Sequence, residues 1–304
     1  MKQLILLPAL LLAGLKLMAC NTCGCAASNQ FLGLLPDMSR SFIGVQYNYR
    51  WYESFHDATE PTKMGGHEYY QSMQIWGRYS LGKRVQLFGF LPYQYNIKQE
   101  DGVRTVLNGL GDASFLANIL VLAPKKSTRP WSQSLSMGIG TKAPTGAYND
   151  MVLGSGDLLA PSMQAGTGSW DFLGDLDYSL RYRQYGLHLE AGYTRTTVNH
   201  QDYKYGNRMN AGLQIFRQIP IGSCMLVPSL GMRYDYSAQD YDNFSTRSLA
   251  AYTGGYMSYG MAGAQVYLKH WSLDISYSLP LAQQYGGGLV RSLGKMGAGI
   301  NYMF

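Results

Sequence analysis

Apolar and polar residues alternate along most of this chain with a period of two. In "FIGVQYNYRW", residues 42–51, Ile43, Val45, Tyr47, Tyr49 and Trp51 fall on one face and Gly44, Gln46, Asn48 and Arg50 on the other. In "WDFLGDLDYSLRYR", residues 170–183, Trp170, Phe172, Leu176, Tyr178, Leu180 and Tyr182 oppose Asp171, Asp175, Asp177, Ser179, Arg181 and Arg183. "WSLDISYSL" (271–279) and "KMGAGINYMF" (295–304) repeat the pattern. Successive strand residues point to opposite sides, so each segment is a strand with one apolar and one polar face.

The pattern predicts strands at 42–51, 69–81, 84–96, 110–122, 132–143, 169–183, 186–196, 207–218, 223–236, 256–268, 271–280 and 295–304. Connections after odd strands then span 17, 13, 25, 10, 19 and 14 residues, and those after even strands 2, 9, 2, 4 and 2, with tight turns at Gly82, Gly186, Gly222 and Lys269. Such sorting into long loops and short turns belongs to an antiparallel up-and-down transmembrane barrel. A soluble sandwich has no reason to sort its loops by side. A closed barrel satisfies every backbone group without water, so it can cross a bilayer. The expected fold is all-β: a barrel of about 12 strands over 42–304, with aromatic residues clustered toward strand ends. An even strand number puts both termini on the periplasmic side. The "NYMF" ending, with Ile300, Tyr302 and Phe304 at alternate positions, resembles the C-terminal signal read by outer-membrane assembly machinery.

The first 19 residues differ. Lys2 precedes the apolar run Leu4–Leu15, and Leu17, Met18 and Ala19 lead to a small-residue cleavage point, the order of a secretory signal. The run is shorter than the ~20 residues of a membrane-spanning helix, and nothing after it approaches that length. Residues 20–41 form a short periplasmic segment holding three of the four cysteines, Cys20, Cys23 and Cys25. "LMAC" resembles a lipobox with Cys20 as lipid acceptor, although Met18 departs from the small residue preferred there. Three readings stay open for the cluster: lipid on Cys20 with Cys23 and Cys25 as a local pair or free thiols; a soft-metal site for Cu(I) or Zn; and a thiol relay. Zn would need a fourth ligand from elsewhere. Cys224 falls with Leu226 and Leu230 on an apolar face and is expected to be inert and buried.

Charge narrows the partners. Removing Lys2 and Lys16 leaves 23 basic against 19 acidic residues, a net of +4, with no basic run of the kind that binds nucleic acid. The expected partners are outer-membrane lipid and a small solute or ion. Inward charges would set the selectivity of a pore. The acidic candidates are Asp112, Asp171, Asp175, Asp177, Glu190 and Asp274, and the basic ones Arg50, Arg78, Arg84, Arg181, Arg183 and Arg208. The competing expectation is that facing charges pair and fill the barrel, since twelve strands lie between side-chain-filled and open barrels. The loop from Pro144 to Gly168 is long enough to fold inward as a constriction or lid. Glycines around Asp112 and Asp171 are expected mostly to bend strands. None of the five His residues has an obvious Ser partner, so no catalytic site is expected.

Two stretches resemble a known family: "NGLGDASFLANILVL" (108–122), and "GTKAPTGAYND" with "QAGTGSWDFLGDLDYSLRY" (within 140–182). The Gly-Leu-Gly-Asp, Pro-Thr-Gly and Gly-Thr-Gly-Ser elements are similar to the outer-membrane "transporter" group related to the phenol-degradation MetA-pathway barrels. The opening "CNTCGC…FLGLLPDMSRSFIGVQYNYR" resembles Bacteroidetes-type members of that group. The resemblance implies a membrane channel or transporter of unsettled substrate and no catalytic residues. A closed barrel that binds a partner, or that presents a soft metal on its N-terminal thiolates, is the alternative.

Overall fold

The computed structural model of the chain describes residues 40–55, 64–124, 130–148, 161–242 and 253–304. The signal at 1–19, nearly all of the segment 20–41, and Cys20, Cys23 and Cys25 lie outside the described residues.

Among the described residues sixteen strands run in chain order: β1 (Phe42–Phe55), β2 (Met64–Leu81), β3 (Val85–Glu100), β4 (Val103–Leu110), β5 (Ser114–Leu122), β6 (Trp131–Lys142), β7 (Asp171–Tyr182), β8 (Tyr185–Thr196), β9 (Tyr203–Lys204), β10 (Arg208–Arg217), β11 (Ile219–Ile221), β12 (Cys224–Ser237), β13 (Tyr241–Asp242), β14 (Gly255–Tyr267), β15 (Trp271–Tyr285) and β16 (Val290–Met303). All large pairings are antiparallel between chain neighbours, β1 pairs β16, and β10 pairs β12, so the sheet closes on itself. β4 and β5 share one stave, interrupted at 111–113, and β10 and β11 share another. The barrel therefore has twelve staves. β9 and β13 form a small separate ribbon.

The strand reading stands with three corrections. β3 and β4 extend past the expected strands and leave only Asp101–Gly102 between them, both at positive φ, 50° and 78°. The expected 13-residue loop is thus a two-residue hairpin turn, and Asp-Gly is a residue pair suited to it. β15 and β16 likewise leave a short connection, Gly286–Leu289, where a 14-residue loop was expected. Finally, the β7–β8 turn lies at Arg183–Gln184, not at Gly186, which sits inside β8. A Cβ on Gly186 would lie 2.0 Å from the Phe216 ring.

The outer wall is apolar. Ile139 is 77% exposed and Phe115 60%, with Ile43, Ile75, Leu213 and Ile275 on the same outward face. This is the surface a bilayer covers. Aromatic girdles border it. At the end carrying the short turns, the Trp131 and Tyr182 rings lie tilted to each other at 4.5 Å and the Trp271 and Tyr302 rings meet edge to face at 5.0 Å. At the opposite, loop end, Tyr49 stacks on Trp51 at 5.2 Å and Tyr234 on Tyr256 at 5.9 Å. Cys224 sits on this outward face at the turn end, half-buried rather than buried.

Two larger apolar clusters among the described residues sit inside, beside a small one of Tyr203 and Tyr205. At the turn end, Phe42, Trp76, Phe88, Phe90, Leu116 and Met303 pack together. At the loop end, Tyr52, Phe55, Tyr70, Met257, Tyr259, Tyr285, Leu289 and Val290 surround Met163. Met163 belongs to the 3-10 turn Pro161–Met163 in the β6–β7 loop, so that loop crosses the lumen to reach β1, β2 and β14–β16 on the far wall.

Candidate functional site: the lumen

The inward crossing of the β6–β7 loop starts from a buried polar clamp. Lys142, at the end of β6, is 1% exposed; Asp112 and Asp171 are each 2% exposed. Lys142 Nζ lies 3.1 Å from Asp112 Oδ2 and 2.7 Å from Asp171 Oδ2, and it also donates to Thr167 Oγ1. Asp112 accepts from the Gly146 N–H at 2.9 Å, the Thr167 N–H at 2.8 Å and the Thr167 hydroxyl at 2.6 Å. Ser169 donates to Asp171 Oδ1 at 3.1 Å. One lysine and two carboxylates therefore fasten both ends of the loop to the wall.

The glycines there do not mainly bend strands, contrary to expectation. A Cβ on Gly146 would meet the Gly111 carbonyl carbon at 2.7 Å, and one on Gly166 would meet that of Gly146 at 2.8 Å. Three backbone segments stack in contact, and only glycine lets them approach so closely. Beyond the clamp, Asn96 donates to the Met163 carbonyl at 3.0 Å and Tyr205 to the Pro161 carbonyl at 3.1 Å. These bonds seat the loop turn in the lumen.

A second polar group lines mid-barrel. Asp175 accepts from Asn118 at 2.9 Å, and Asp177 accepts from Ser136 at 3.4 Å. Glu190 pairs with Arg233 at 2.7 Å. Arg233 also binds Asp235 at 2.8 Å, and Asp235 binds Lys295 at 2.7 Å. Lys295 Nζ sits 3.9 Å from the centroid of the Tyr259 ring. The belt runs over β7, β8, β12, β14 and β16. Lys142, Arg233, Asp235 and Lys295 were not singled out from sequence, although each lies on the polar face of an alternating segment.

The remaining candidates scatter. Arg50 is buried over the Tyr70 ring at 5.9 Å. Arg78 is buried at the turn end, over Phe42 at 5.3 Å, and donates to the Arg40 carbonyl at 3.0 Å. Arg181 donates to Gln218 at 3.2 Å. Asp274 accepts from Asn301 at 3.5 Å. Arg183 and Arg84 are corrected from inward to rim positions: both fall in turns beyond the strand ends and are exposed, with Arg183 over Tyr182 at 5.5 Å.

His188 does have a serine partner. Ser179 is its register neighbour, and their Oγ and Nδ1 lie 2.8 Å apart. The pair is not a hydrolytic triad. Asp177 stands 3.8 Å from Nε2, beyond hydrogen-bond length, and the strand backbone around Ser179 is engaged in ladders on both sides. That leaves no array of free N–H donors for an oxyanion.

Exposure divides the lumen. The inward side chains of β2, β3 and β5 are buried almost without exception. Those of β7–β16 include many that stay half-exposed and are small or polar, among them Asp175, Asn210, Ser229, Gly263, Asp274 and Ser276. A thick wall of polar and aromatic side chains thus faces a thin polar one, and solvent reaches the thin side.

No protein family and no curated protein sequence matches the chain. Among solved structures, the COG4313 outer membrane channel from Pseudomonas putida F1 superposes with a TM-score of 0.69 at 15% identity, covering 90% of this chain and 98% of that one. The beta domain of the Bordetella autotransporter BrkA superposes at 0.52 and 14% identity, covering 88% and 100% respectively. At these identities the likeness is one of fold: a closed, twelve-stave transmembrane β-barrel of the outer-membrane kind.

Proposed function

We propose that this chain is a bacterial outer-membrane channel that passes a small polar solute or ion, with residues 1–19 as its export signal and its barrel termini in the periplasm. The observation that carries the reading is the half-exposed polar path along the inward faces of β7–β16. Closed barrels filled for stability alone bury their inward side chains uniformly. The β6–β7 loop, clamped at Lys142 and seated through Met163, acts as the constriction. The Gly-Leu-Gly-Asp, Pro-Thr-Gly and Gly-Thr-Gly-Ser stretches supply that clamp, which supports kinship with the MetA-pathway transporter group.

The test is single-barrel conductance. Full-length protein is refolded into planar bilayers in simple salt, with heat-modifiable gel mobility confirming the folded barrel. Small, stable conductance steps are expected, and their absence from folded barrels overturns the channel. The turn-end cluster of Phe42, Trp76, Phe88 and Phe90 favours a second reading, a closed barrel that binds at its loops. Silent barrels would select it.

A further inference from the structure

We propose that the inward face of the β7–β8 hairpin holds a divalent transition-metal ion of the zinc class on Asp177, His188 and Glu190. The inference concerns mid-barrel side chains and does not depend on conduction.

Asp177 and Glu190 are register partners, and His188 stands two residues before Glu190 on the same face. One ligand atom from each of the three lies within 4.8 Å of the others. Ions of this class bind N and O donors at about 2.0–2.2 Å, so donors around one ion stand roughly 3–3.5 Å apart. Side-chain rotations that close the group by about 1 Å complete the site.

His188 supplies the independent sign of a ligand. It is 6% exposed, and its Nε2 is buried with no hydrogen-bond partner among the described residues. The ring is held from its other side by Ser179 at 2.8 Å. With the proton on Nδ1 donated to the Ser179 hydroxyl, Nε2 turns a lone pair toward the carboxylates. A lone pair facing anions is repulsive, and 3.8 Å to Asp177 Oδ1 is too long for the opposite tautomer to relieve it by a hydrogen bond. A cation between them satisfies both. A hydrogen bond that fixes tautomer and ring orientation is the usual support of a metal-binding imidazole.

Charge points the same way. Asp175 lies beside Asp177 on the same face, which crowds a third carboxylate against the group. Of the three carboxylates, Glu190 is ion-paired, to an Arg233 that Asp235 shares, while Asp175 and Asp177 accept from the neutral Asn118 and Ser136. Uncompensated carboxylates in a low-dielectric wall are costly, and a divalent ion offsets the surplus. Arg233 holds Glu190 Oε1, leaving the second oxygen for monodentate binding. One imidazole with carboxylates suits Zn, Ni or Fe(II) better than thiolate-seeking Cu(I).

The test is equilibrium dialysis of folded full-length barrel against Zn2+ alone, after its thiols are alkylated to silence Cys20, Cys23 and Cys25. One Zn2+ per barrel is expected at micromolar concentration, weakened at least tenfold in each of H188Q, D177N and E190Q. Heat-modifiable mobility shows that each variant is folded. No binding by the alkylated wild type overturns the site. So does undiminished binding in any of the three variants, because the proposal requires all three ligands. If H188Q fails to fold, D177N and E190Q carry the same decision.

Discussion

Glu190 on β8 and Arg233 on β12 meet at 2.7 Å although their strands are not neighbours. β10 lies between them, and the residue it presents at that level, paired with both, is Gly212. The ion pair closes over a gap left by a missing side chain. Asn118 on β5 and Asp175 on β7 do the same across Gly138 on β6. Glycine in a strand interior is ordinarily a weakness. On this inner wall it lets polar groups bridge alternate staves.

Gly212→Ala should therefore break the bridge. The new Cβ would lie 2.7 Å from both Cγ and Oε1 of Glu190. Arg233 keeps Asp235, so the expected loss is about 2–3 kcal/mol. Denaturant titration of refolded barrel in detergent measures it. The control is Gly174→Ala, whose Cβ meets nothing nearer than 4.0 Å and whose unfolding midpoint should stay put.

Removing Lys142 strands two buried carboxylates. Lys142→Met is expected to cost about 3–5 kcal/mol by the same titration. Combining it with Asp112→Asn and Asp171→Asn removes the orphaned charges and should recover part of that loss. Recovery separates an electrostatic clamp from simple packing.

Met163→Ala trims the side chain that the loop presses against the far wall. Conductance steps should grow, because the narrowing at the loop end loosens. Stability should fall by about 2–4 kcal/mol, as for other buried Met truncations. Unchanged steps would place the narrowest point elsewhere.

Asp175 is half-exposed on the solvent-reached side of the lumen, and Asp177 is buried beside it. In chelator-treated salt, Asp175→Asn with Asp177→Asn should reduce preference for cations. Reversal potentials under a salt gradient read this directly, and the expected shift is toward zero.

The outward face makes a separate prediction. Ile75, exposed midway along the membrane-crossing part of β2, should accept Arg at a cost of about 2–4 kcal/mol in lipid.

The twelve staves were legible because alternation is imposed by two solvents, lipid outside and a polar lumen inside. Loop lengths were less legible. Nothing in alternation says where a strand leaves the bilayer, so β3, β4, β15 and β16 ran on past their expected ends. The Asp101–Gly102 pair was the available sign. Side-chain partners were the least legible, since they depend on register. A turn centred at 184–185 places His188 opposite Arg181; the observed turn at 183–184 places it opposite Ser179. A single-residue slip in a turn shifts every partner by two. Lys142 was readable in principle. A lysine on an inward face at membrane depth calls for a counter-ion, and Asp112 and Asp171 were already in view.

Lys142 and Asp171 are themselves register partners, so the β6–β7 excursion leaves and rejoins the wall at a single latched point. Chain between the latches can change in length at little entropic cost, because closure cost grows slowly with loop size. The barrel is therefore a frame carrying an exchangeable insert: the frame keeps its sequence constraints, while the insert can change without any stave being rebuilt.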